Sequence, residues 1–245
     1  MKVYLSDIET LGSGDPFDAL LQTLPECRRQ KVLRLKRDDA RRRCLGAGLL
    51  LAHALSPFGL SEADAAYGPQ GKPYLPAETG LFFNLSHSGG RVMCVIAENE
   101  VGCDVEKIRY RRDTDRIAHR YFAPEEIRAL EAVQERTEKK KLFFRYWTLK
   151  ESFLKAIGNG LSLPLDRFCI RLSEAGISVC PADGFRTELR RCNGDPSVSD
   201  AFDPGRFGFK EFFPEDGYCY ALCSADGKIP RDLEPEWVDL SAVAG

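Results

Sequence analysis

The sequence predicts a mixed α+β fold with helices and strands in both halves of the chain. Apolar segments typical of strands occur on both sides of Glu106. One long segment with helical spacing lies in each half. The 245 residues suffice for a sizeable core, and a formal net charge of −2 gives no overall field that would draw the protein to nucleic acid or a membrane.

The N-terminal half is predicted to begin and end with strands that enclose two helices. Lys2–Ile8 alternates as a strand does. A basic segment after Pro25 begins one helix, and Asp38 starts a longer one that ends before Pro57. A Gly- and Pro-rich loop over 67–76 then precedes three extended segments, Leu81–Leu85, Arg91–Ala97 and Val101–Glu106.

The C-terminal half is predicted to start with helices and to continue as short strands. Pro124 opens a helix through Leu130, and Thr137–Ile157 forms a longer helix that Gly158 ends. Asn193–Pro204 is a predicted polar loop, and 226–245 a loosely attached tail. The predicted strands are Phe168–Leu172, Ile177–Cys180, Phe185–Arg190, Phe207–Phe213 and Tyr218–Ser224.

The nine cysteines are scattered and form no Cys-x-x-Cys pair, so they give little support to a zinc site. We interpret them as free thiols in the reducing environment of the cytoplasm. The first residues carry acidic groups and no apolar core follows them, so we expect no signal peptide.

The segment Gly102-Cys103-Asp104-Val105-Glu106 places two carboxylates on one face of a strand. Small Gly102 leaves room beside Asp104 and Glu106. Adjacent carboxylates repel each other unless a cation lies between them, and an all-oxygen set favours a hard ion such as Mg²⁺. The same spacing is also typical of a solvated strand end.

The helix that ends at Gly158 carries Trp147, Glu151 and Lys155 at spacings of four, so the three share one face. This face supplies a third carboxylate, with a phosphate-binding cation one turn away. An exposed Glu–Lys pair is the alternative interpretation.

The segment Phe83-Asn84-Leu85-Ser86-His87-Ser88-Gly89-Gly90 is predicted to form a polar turn. A turn of small residues exposes backbone N–H groups to an anion, and both Ser86 and His87 can donate to phosphate. An ordinary surface turn has the same composition. Further cations that could line a polyanion pocket, or lie solvated on the surface, are Lys31, Arg41, Arg42, Arg43 and Lys72.

The order of these motifs from Lys72 to Leu161 resembles that of the Sfp-type phosphopantetheinyl transferases. The hallmarks of that family are an (I/V)G-x-D-x-E strand and a W-x-x-K-E-(A/S)-x-x-K helix, which GCDVE and WTLKESFLK match. The resemblance implies two similar α+β subdomains that form a pseudo-dimer with the active site in the cleft between them. With the division near Glu106, the domains are 1–106, 107–225 and a tail 226–245.

The resemblance further implies transfer of 4′-phosphopantetheine from coenzyme A to a serine hydroxyl of an apo acyl or peptidyl carrier protein. The reaction is Mg²⁺-dependent and releases 3′,5′-ADP. The implied protein is a cytoplasmic monomer that binds neither nucleic acid nor a membrane. Two other functions are weighed against this one, a Mg²⁺-dependent phosphohydrolase and a non-catalytic coenzyme A-binding module.

Site roles follow from the same resemblance. Asp104, Glu106 and Glu151 are expected to hold Mg²⁺, with Glu151 also taking the proton of the carrier serine. The expected catalytic residues are Glu151, Lys155 and Asp104, and Glu126 matches a further acidic position near the metal. Coenzyme A is expected to contact Lys31, Arg43, Lys72, Ser86, His87 and Lys155.

One departure from the family pattern concerns the 3′-phosphate. Family lysines after the Pro-Glu pair are replaced by Cys27 and Gln30, so Arg43 is expected to compensate. The carrier protein is expected to dock on Arg111, Arg112, Tyr121 and Phe122.

Overall fold

A computed structural model describes residues 1–9, 11, 14–68, 72–158, 163–182, 188–190, 199–201 and 203–241. Within these residues every helix is too short or too polar to cross a bilayer. The helices are α1 (Asp15–Gln22), α2 (Glu26–Arg34), α3 (Asp38–Leu55), α4 (Thr114–Tyr121), α5 (Pro124–Ala132) and α6 (Arg136–Ile157).

The strands pair into two principal sheets and three hairpin pairs. The order of the first sheet is β13-β1-β5-β4, in which only β1 and β13 run parallel, and that of the second is β11-β12-β6. The hairpin pairs are β2–β3, β7–β8 and β9–β10. The strands are β1 (Lys2–Asp7), β2 (Ala66–Tyr67), β3 (Pro73–Tyr74), β4 (Phe82–Ser88), β5 (Arg91–Ala97), β6 (Val101–Lys107), β7 (Phe168–Ser173), β8 (Gly176–Pro181), β9 (Glu188–Arg190), β10 (Ser199–Ala201), β11 (Gly208–Phe212), β12 (Tyr218–Ser224) and β13 (Glu236–Trp237).

The two principal sheets pack face to face, and each has a long helix on its outer face. Alternate residues of β1 show this arrangement, because Tyr4 packs under α3 whereas Val3 and Leu5 face the second sheet. On β12, Tyr220 faces the first sheet and Ala221 packs under α6. The fold is therefore mixed α+β, as predicted, with four layers in the order α3, first sheet, second sheet and α6. Helix α6 also packs against β6, the strand of the second sheet that lies next to β4 of the first.

Helix α6 ends as predicted, because Gly158 takes the left-handed conformation at φ 71° that terminates a helix at low steric cost. The predicted loop at 67–76 contains β2 and β3, although 69–71 lie outside the described residues. Two short helices, α1 and α4, were not predicted from the sequence. Helices of eight residues depend on packing of their buried side chains rather than on propensity, so their sequence signal is weak.

The prediction that residues 226–245 form a loosely attached tail is wrong for the part that the structure describes. Strand β13 pairs with β1, and Val238 N–H donates to Leu5 O at 2.8 Å. Leu240 is fully buried in the core under α3. Part of the predicted loop 193–204 is also ordered as β10, while the remainder up to 198 lies outside the described residues, as does much of the predicted strand Phe185–Arg190.

Candidate active site

Gly102 brings α6 into direct backbone contact with β6. A Cβ atom at this position would lie 2.1 Å from Ser152 O and 2.3 Å from Ala156 N, so only glycine permits the approach. The space that the sequence predicts beside the carboxylates is therefore filled by the helix. As a consequence, Glu151 and Lys155 on α6 lie next to the carboxylates of β6.

Strands β4 and β6 belong to different sheets, and side chains of β4 rather than its backbone bond to β6. Three main-chain N–H groups of β6 donate to these side chains, which is possible because residues i, i+2 and i+4 of a strand share one face. The pairs are Cys103 N with Asn84 Oδ1 at 3.0 Å, Val105 N with Ser86 Oγ at 3.2 Å and Lys107 N with Ser88 Oγ at 3.2 Å. This set of bonds, the Asn-Ser-Ser ladder, joins the two principal sheets.

The same two serines orient the carboxylates of β6. Ser86 Oγ donates to Asp104 Oδ1 and Ser88 Oγ donates to Glu106 Oε2, both at 2.7 Å. The predicted polar turn is confirmed only for Gly89 and Gly90, which join β4 to β5. It is wrong for Phe83–Ser88, because Phe82–Ser88 is a strand whose backbone pairs with β5 rather than facing an anion. The functional role of Ser88 was missed, although its spacing of two from Ser86 was visible in the sequence.

Lys155 is the cation at the centre of this cluster. Its ammonium donates to Asp104 Oδ1 at 2.7 Å, and to Ser86 Oγ and Cys103 O at 3.0 Å each. Burial by itself lowers the pKa of Lys155, but the charge of Asp104 and the hydrogen bond to it outweigh burial, so the pKa is raised. Lys155 is therefore charged at neutral pH.

The two other carboxylates hold protons more tightly than usual. Burial and the charges of Asp104 and Glu106 raise the pKa of Glu151 to about 7, against the opposing effect of Lys155. Burial and Asp104 also raise the pKa of Glu106, although Ser88, Arg109 and Arg112 oppose the shift. Such perturbation by desolvation and like charge is typical of functional sites.

The carboxylates Asp104, Glu106 and Glu151 offer oxygen ligands, the type that a hard divalent cation prefers. Asp104 is 6% exposed, and its Oδ2 is buried without a hydrogen-bond partner in the described residues. A buried oxygen of this kind is costly unless something binds it, and a cation accepts such an oxygen as a ligand. Within the described ranges no group of three or more Asp, Glu, His or Cys side chains is close enough together to hold a metal ion. In the structure Asp104 Oδ1 accepts from the cation Lys155 and from the hydroxyl of Ser86.

A positive surface lies beside the carboxylates. His87 on β4 is exposed, although the surrounding protein removes part of its hydration. This loss of hydration and the charges of Lys155, Arg43 and Arg28 lower the pKa of His87. Lys72 donates to the backbone O of Lys155 at 2.5 Å. The structure thus brings Ser86, His87, Lys72, Arg43 and Lys155 into one neighbourhood.

Comparison with known proteins decides the family. Residues 100–223 match the model of the 4′-phosphopantetheinyl transferase superfamily. Over 237 residues the chain is 30% identical to the 4′-phosphopantetheinyl transferase Sfp of Bacillus subtilis (strain 168), covering 95% of this chain and 96% of that protein. The chain belongs to this superfamily.

A second relative belongs to the same kind of enzyme, and one solved structure shows a distant likeness. The transferase is 34% identical to the 4′-phosphopantetheinyl transferase ffp of Bacillus subtilis over 238 residues, which cover 95% of this chain and 96% of that protein. The holo-[acyl-carrier-protein] synthase of Thermotoga maritima covers 53% of this chain and 64% of its own, with 19% identity and a TM-score of 0.37. The second likeness is too distant to add to the assignment.

A groove of about 1080 Å³ leads over the surface of the transferase to Glu151. Trp147 forms part of its apolar wall, and Tyr121 packs edge-on against that ring at 6.4 Å.

Phe122 does not face this groove as the docking prediction requires. It is 3% exposed and stacks on Phe143 at 5.1 Å, because the residue after α4 turns into the core. Arg111 is exposed. The groove is lined by Arg112, Asp113, Arg116, Ile117, Arg120, Tyr121, Trp147, Glu151, Leu163, Pro164, Leu165 and Asp166.

Lys31 contacts a different carboxylate. Its ammonium lies over the Tyr67 ring at 4.3 Å from the centroid and 3.7 Å from Glu62 Oε1. Glu62 also forms a buried two-point ion pair with Arg28, in which both N–O distances are 2.7 Å. Lys31 therefore belongs to a small ion network formed by α2 and Glu62, and Glu62 was not predicted as its partner.

Glu126 is an internal anchor rather than a group of the carboxylate cluster. It is 1% exposed and accepts from Lys150 Nζ at 2.9 Å, Ile170 N at 2.7 Å and Ala123 N at 2.9 Å. The ammonium of Lys150 also donates to Leu165 O and Phe168 O. The expectation that Glu126 lies near the metal is not supported, because its carboxylate is already satisfied by these three donors.

Proposed function

We propose that Asp104, Glu106, Glu151 and Lys155 form the centre at which this transferase moves 4′-phosphopantetheine from coenzyme A to a serine of an apo carrier protein. The observation that carries the proposal is the position of Glu151. It lines the groove and lies one helical turn from Lys155. Without a bound cation, burial and the charges of Asp104 and Glu106 raise its pKa to about 7, and a cation beside it favours the ionised form that accepts a proton.

Glu151 accepts the proton of the carrier serine in the proposed reaction. The serine oxygen forms a bond to the phosphorus that bears the pantetheine arm, and the bond from that phosphorus to the bridging oxygen of the pyrophosphate breaks. The products are the phosphopantetheinyl serine and 3′,5′-ADP. Phosphoryl transfer depends mainly on positioning and charge neutralisation, which Lys155 supplies beside the pyrophosphate.

Asp104, Glu106 and Glu151 would hold Mg²⁺, which fits the buried and unpartnered Oδ2 of Asp104. The bound ion supplies charge neutralisation at the pyrophosphate oxygens. The chain itself keeps the ligands in place. Ser86 and Ser88 restrain Asp104 and Glu106 through their hydroxyl groups, so less reorganisation is needed on binding.

Coenzyme A is proposed to bind along the positive surface beside these carboxylates. His87 and Lys155 contact its phosphates, whereas Ser86 acts behind them because its hydroxyl already donates to Asp104 and accepts from Lys155. Lys72, which donates to Lys155 O near the carboxyl end of α6, lies by the adenine nucleotide. Arg43 is proposed to bind the 3′-phosphate. Its guanidinium is close enough to His87 to lower the pKa of that imidazole, so it lies near the proposed phosphate site. Lys31 is the outer member of this set.

The carrier protein is proposed to dock along the groove that contains Glu151. Arg112, Arg116 and Arg120 line it beside Tyr121 and Trp147. A basic and aromatic surface suits an acidic partner, since complementary charge increases the association rate and fixes orientation. The groove does not distinguish fatty-acid, polyketide and peptide carriers from one another.

The proposed organisation is a monomeric, cytoplasmic pseudo-dimer with subdomains 1–106 and 107–225, and the segment after 225 returns to the first subdomain through the pairing of β13 with β1. In support, the centre combines β4 of the first sheet with β6 and α6 of the second. All cysteines that the structure describes are free thiols, as a reducing compartment allows. A single sedimenting species of 27.5 kDa, with turnover independent of protein concentration, would support the monomer.

The test is the intact mass of an apo carrier after incubation with coenzyme A, Mg²⁺ and the transferase. A gain of one phosphopantetheine is expected with at least one of the fatty-acid, polyketide and peptide carriers. Glu151→Ala is expected to lose at least about 10²-fold in rate, while Glu138→Ala, an exposed position on the same helix, retains it. Normal turnover by Glu151→Ala would refute the role of Glu151.

A further inference from the structure

Lys140 differs from both of its neighbours in the run Lys139–Lys141 at the start of α6. Lys139 and Lys141 form ion pairs with Asp115 at 3.0 Å and Glu138 at 2.8 Å. Lys140 is 6% exposed, and no carboxylate pairs with it in the part of the chain that the structure describes. A buried ammonium without a counter-charge must be stabilised by hydrogen bonds.

Two backbone carbonyl groups of a neighbouring turn provide those bonds. The ammonium of Lys140 donates to Tyr110 O and, at 2.8 Å, to Arg112 O. Both acceptors belong to residues 109–112, which we call the arginine turn. The turn is closed by Arg112 N–H donating to Arg109 O at 3.0 Å.

The segment on either side of the arginine turn is fixed by other contacts. Ile108 N–H donates to Gly217 O at 2.9 Å, and the Asp113 carboxylate accepts from Arg116 N at 3.2 Å to cap α4. Between these two points, Lys140 is the side chain of α6 that donates hydrogen bonds to the backbone of the turn, as far as the structure describes the chain. The turn itself is polar and exposed, with Tyr110 49% exposed, so little apolar burial restrains it.

The arginine turn presents cations to two cavities. Arg112 lines the groove that contains Glu151, and its guanidinium lies 5.8 Å from the centre of the Trp147 ring. Arg109 lines a second pocket of about 470 Å³. Both charges oppose the effect of burial on the pKa of Glu106, which places them within electrostatic reach of the carboxylates.

We propose that Lys140 is a positioning residue that fixes the arginine turn and thereby sets affinity for an acidic protein surface in the groove. This rests on the proposed function, under which that surface is the carrier protein. A methionine of similar length could occupy the same space without the cost of burying a charge. The ammonium therefore contributes the two hydrogen bonds and a positive charge beneath the turn, neither of which apolar packing provides.

The kinetic test compares Lys140→Met with Lys141→Met, which removes a neighbouring but exposed lysine. We expect Lys140→Met to raise the carrier KM about tenfold, with kcat and the KM for coenzyme A unchanged. Lys140→Arg should recover most of the affinity, because a guanidinium can also donate to two carbonyl groups. If Lys140→Met and Lys141→Met have the same carrier KM, the role in partner affinity is refuted.

The positioning role is tested separately by timed digestion with trypsin, followed by mass spectrometry of the fragments. We expect cleavage after Arg109, Arg111 and Arg112 to be about tenfold faster in Lys140→Met than in Lys141→Met. Equal rates would refute the positioning of the turn. This readout needs no carrier, so it stands even if the wild type shows no transfer activity and the proposed function fails. If Lys140→Met does not fold, Lys140→Gln, whose side chain is neutral and shorter but keeps two N–H donors, replaces it in both tests.

Discussion

Replacing Glu151 with glutamine is expected to stabilise the protein above neutral pH while abolishing transfer. The carboxyl group is raised from a pKa of 4.5 to about 7, first by burial and then by the charges of Asp104 and Glu106. A folded state that binds this proton more tightly has an added stability below pH 4.5, and that contribution is lost as pH rises through about 7. Glutamine is neutral in the folded and the unfolded state, so the stability of the Glu151→Gln variant does not fall as this group ionises.

The size of the effect follows from the shift. At about 1.4 kcal/mol per unit the raised pKa corresponds to roughly 3 kcal/mol, which screening at the partly exposed carboxylate reduces to about 2 kcal/mol. For a chain of this length that is about 4–8 °C in Tm. The Tm advantage of Glu151→Gln should therefore be small near pH 4.5 and should reach its full value above pH 7.

The assay is thermal unfolding of both proteins in EDTA between pH 5 and 8.5. Glu138→Gln, on the exposed face of the same helix, is the control and should change stability by less than about 0.5 kcal/mol. Mg²⁺ is expected to narrow the difference, because a bound cation favours ionised carboxylates. A Tm difference between Glu151→Gln and wild type that does not change with pH would refute the raised pKa of Glu151.

Three further substitutions test the scaffold of the site. Gly102→Ala is expected to cost about 3 kcal/mol, because the new Cβ meets the backbone of α6 at 2.1 Å; unchanged stability in urea would contradict the close contact. Ser88→Ala removes the 2.7 Å bond to Glu106 and should lower turnover at limiting Mg²⁺ about tenfold, whereas an unchanged Mg²⁺ titration would exclude the orienting role. Lys150→Met leaves Glu126 buried without its partner and should cost about 3–5 kcal/mol in chemical denaturation. The double variant Lys150→Met with Glu126→Gln should recover part of this loss, and no recovery would mean that the pair is not coupled.

The sequence alone predicted much of the secondary structure that surrounds the site. Alternating residues located β1, and the stop at Gly158 located the end of α6. The spacing of Asp104 and Glu106 predicted a shared face of one strand, and the i, i+4 spacing of Glu151 and Lys155 predicted a shared helical face. Local periodicity was sufficient for these predictions because each concerns residues within one element.

Interactions between elements could not be predicted in this way. Asn84, Ser86 and Ser88 have the composition of a turn, and only their position between two sheet edges makes them a ladder. Glu126 was visible as an acidic residue near a helix start, but its partner Lys150 is 24 positions away on another helix. Pairings of this kind depend on how the chain packs, which local spacing does not encode.

The run Lys139–Lys141 shows most directly what the sequence determined and what only the tertiary structure decided. Three identical residues in a row predict a charged and solvated helix surface, and for Lys139 and Lys141 this holds. A helix places successive residues about 100° apart, so only one of the three can face a given neighbour. The packing of α6 against the segment after β6 selected Lys140 for burial, because the carbonyl groups of the arginine turn lie where its ammonium can reach them.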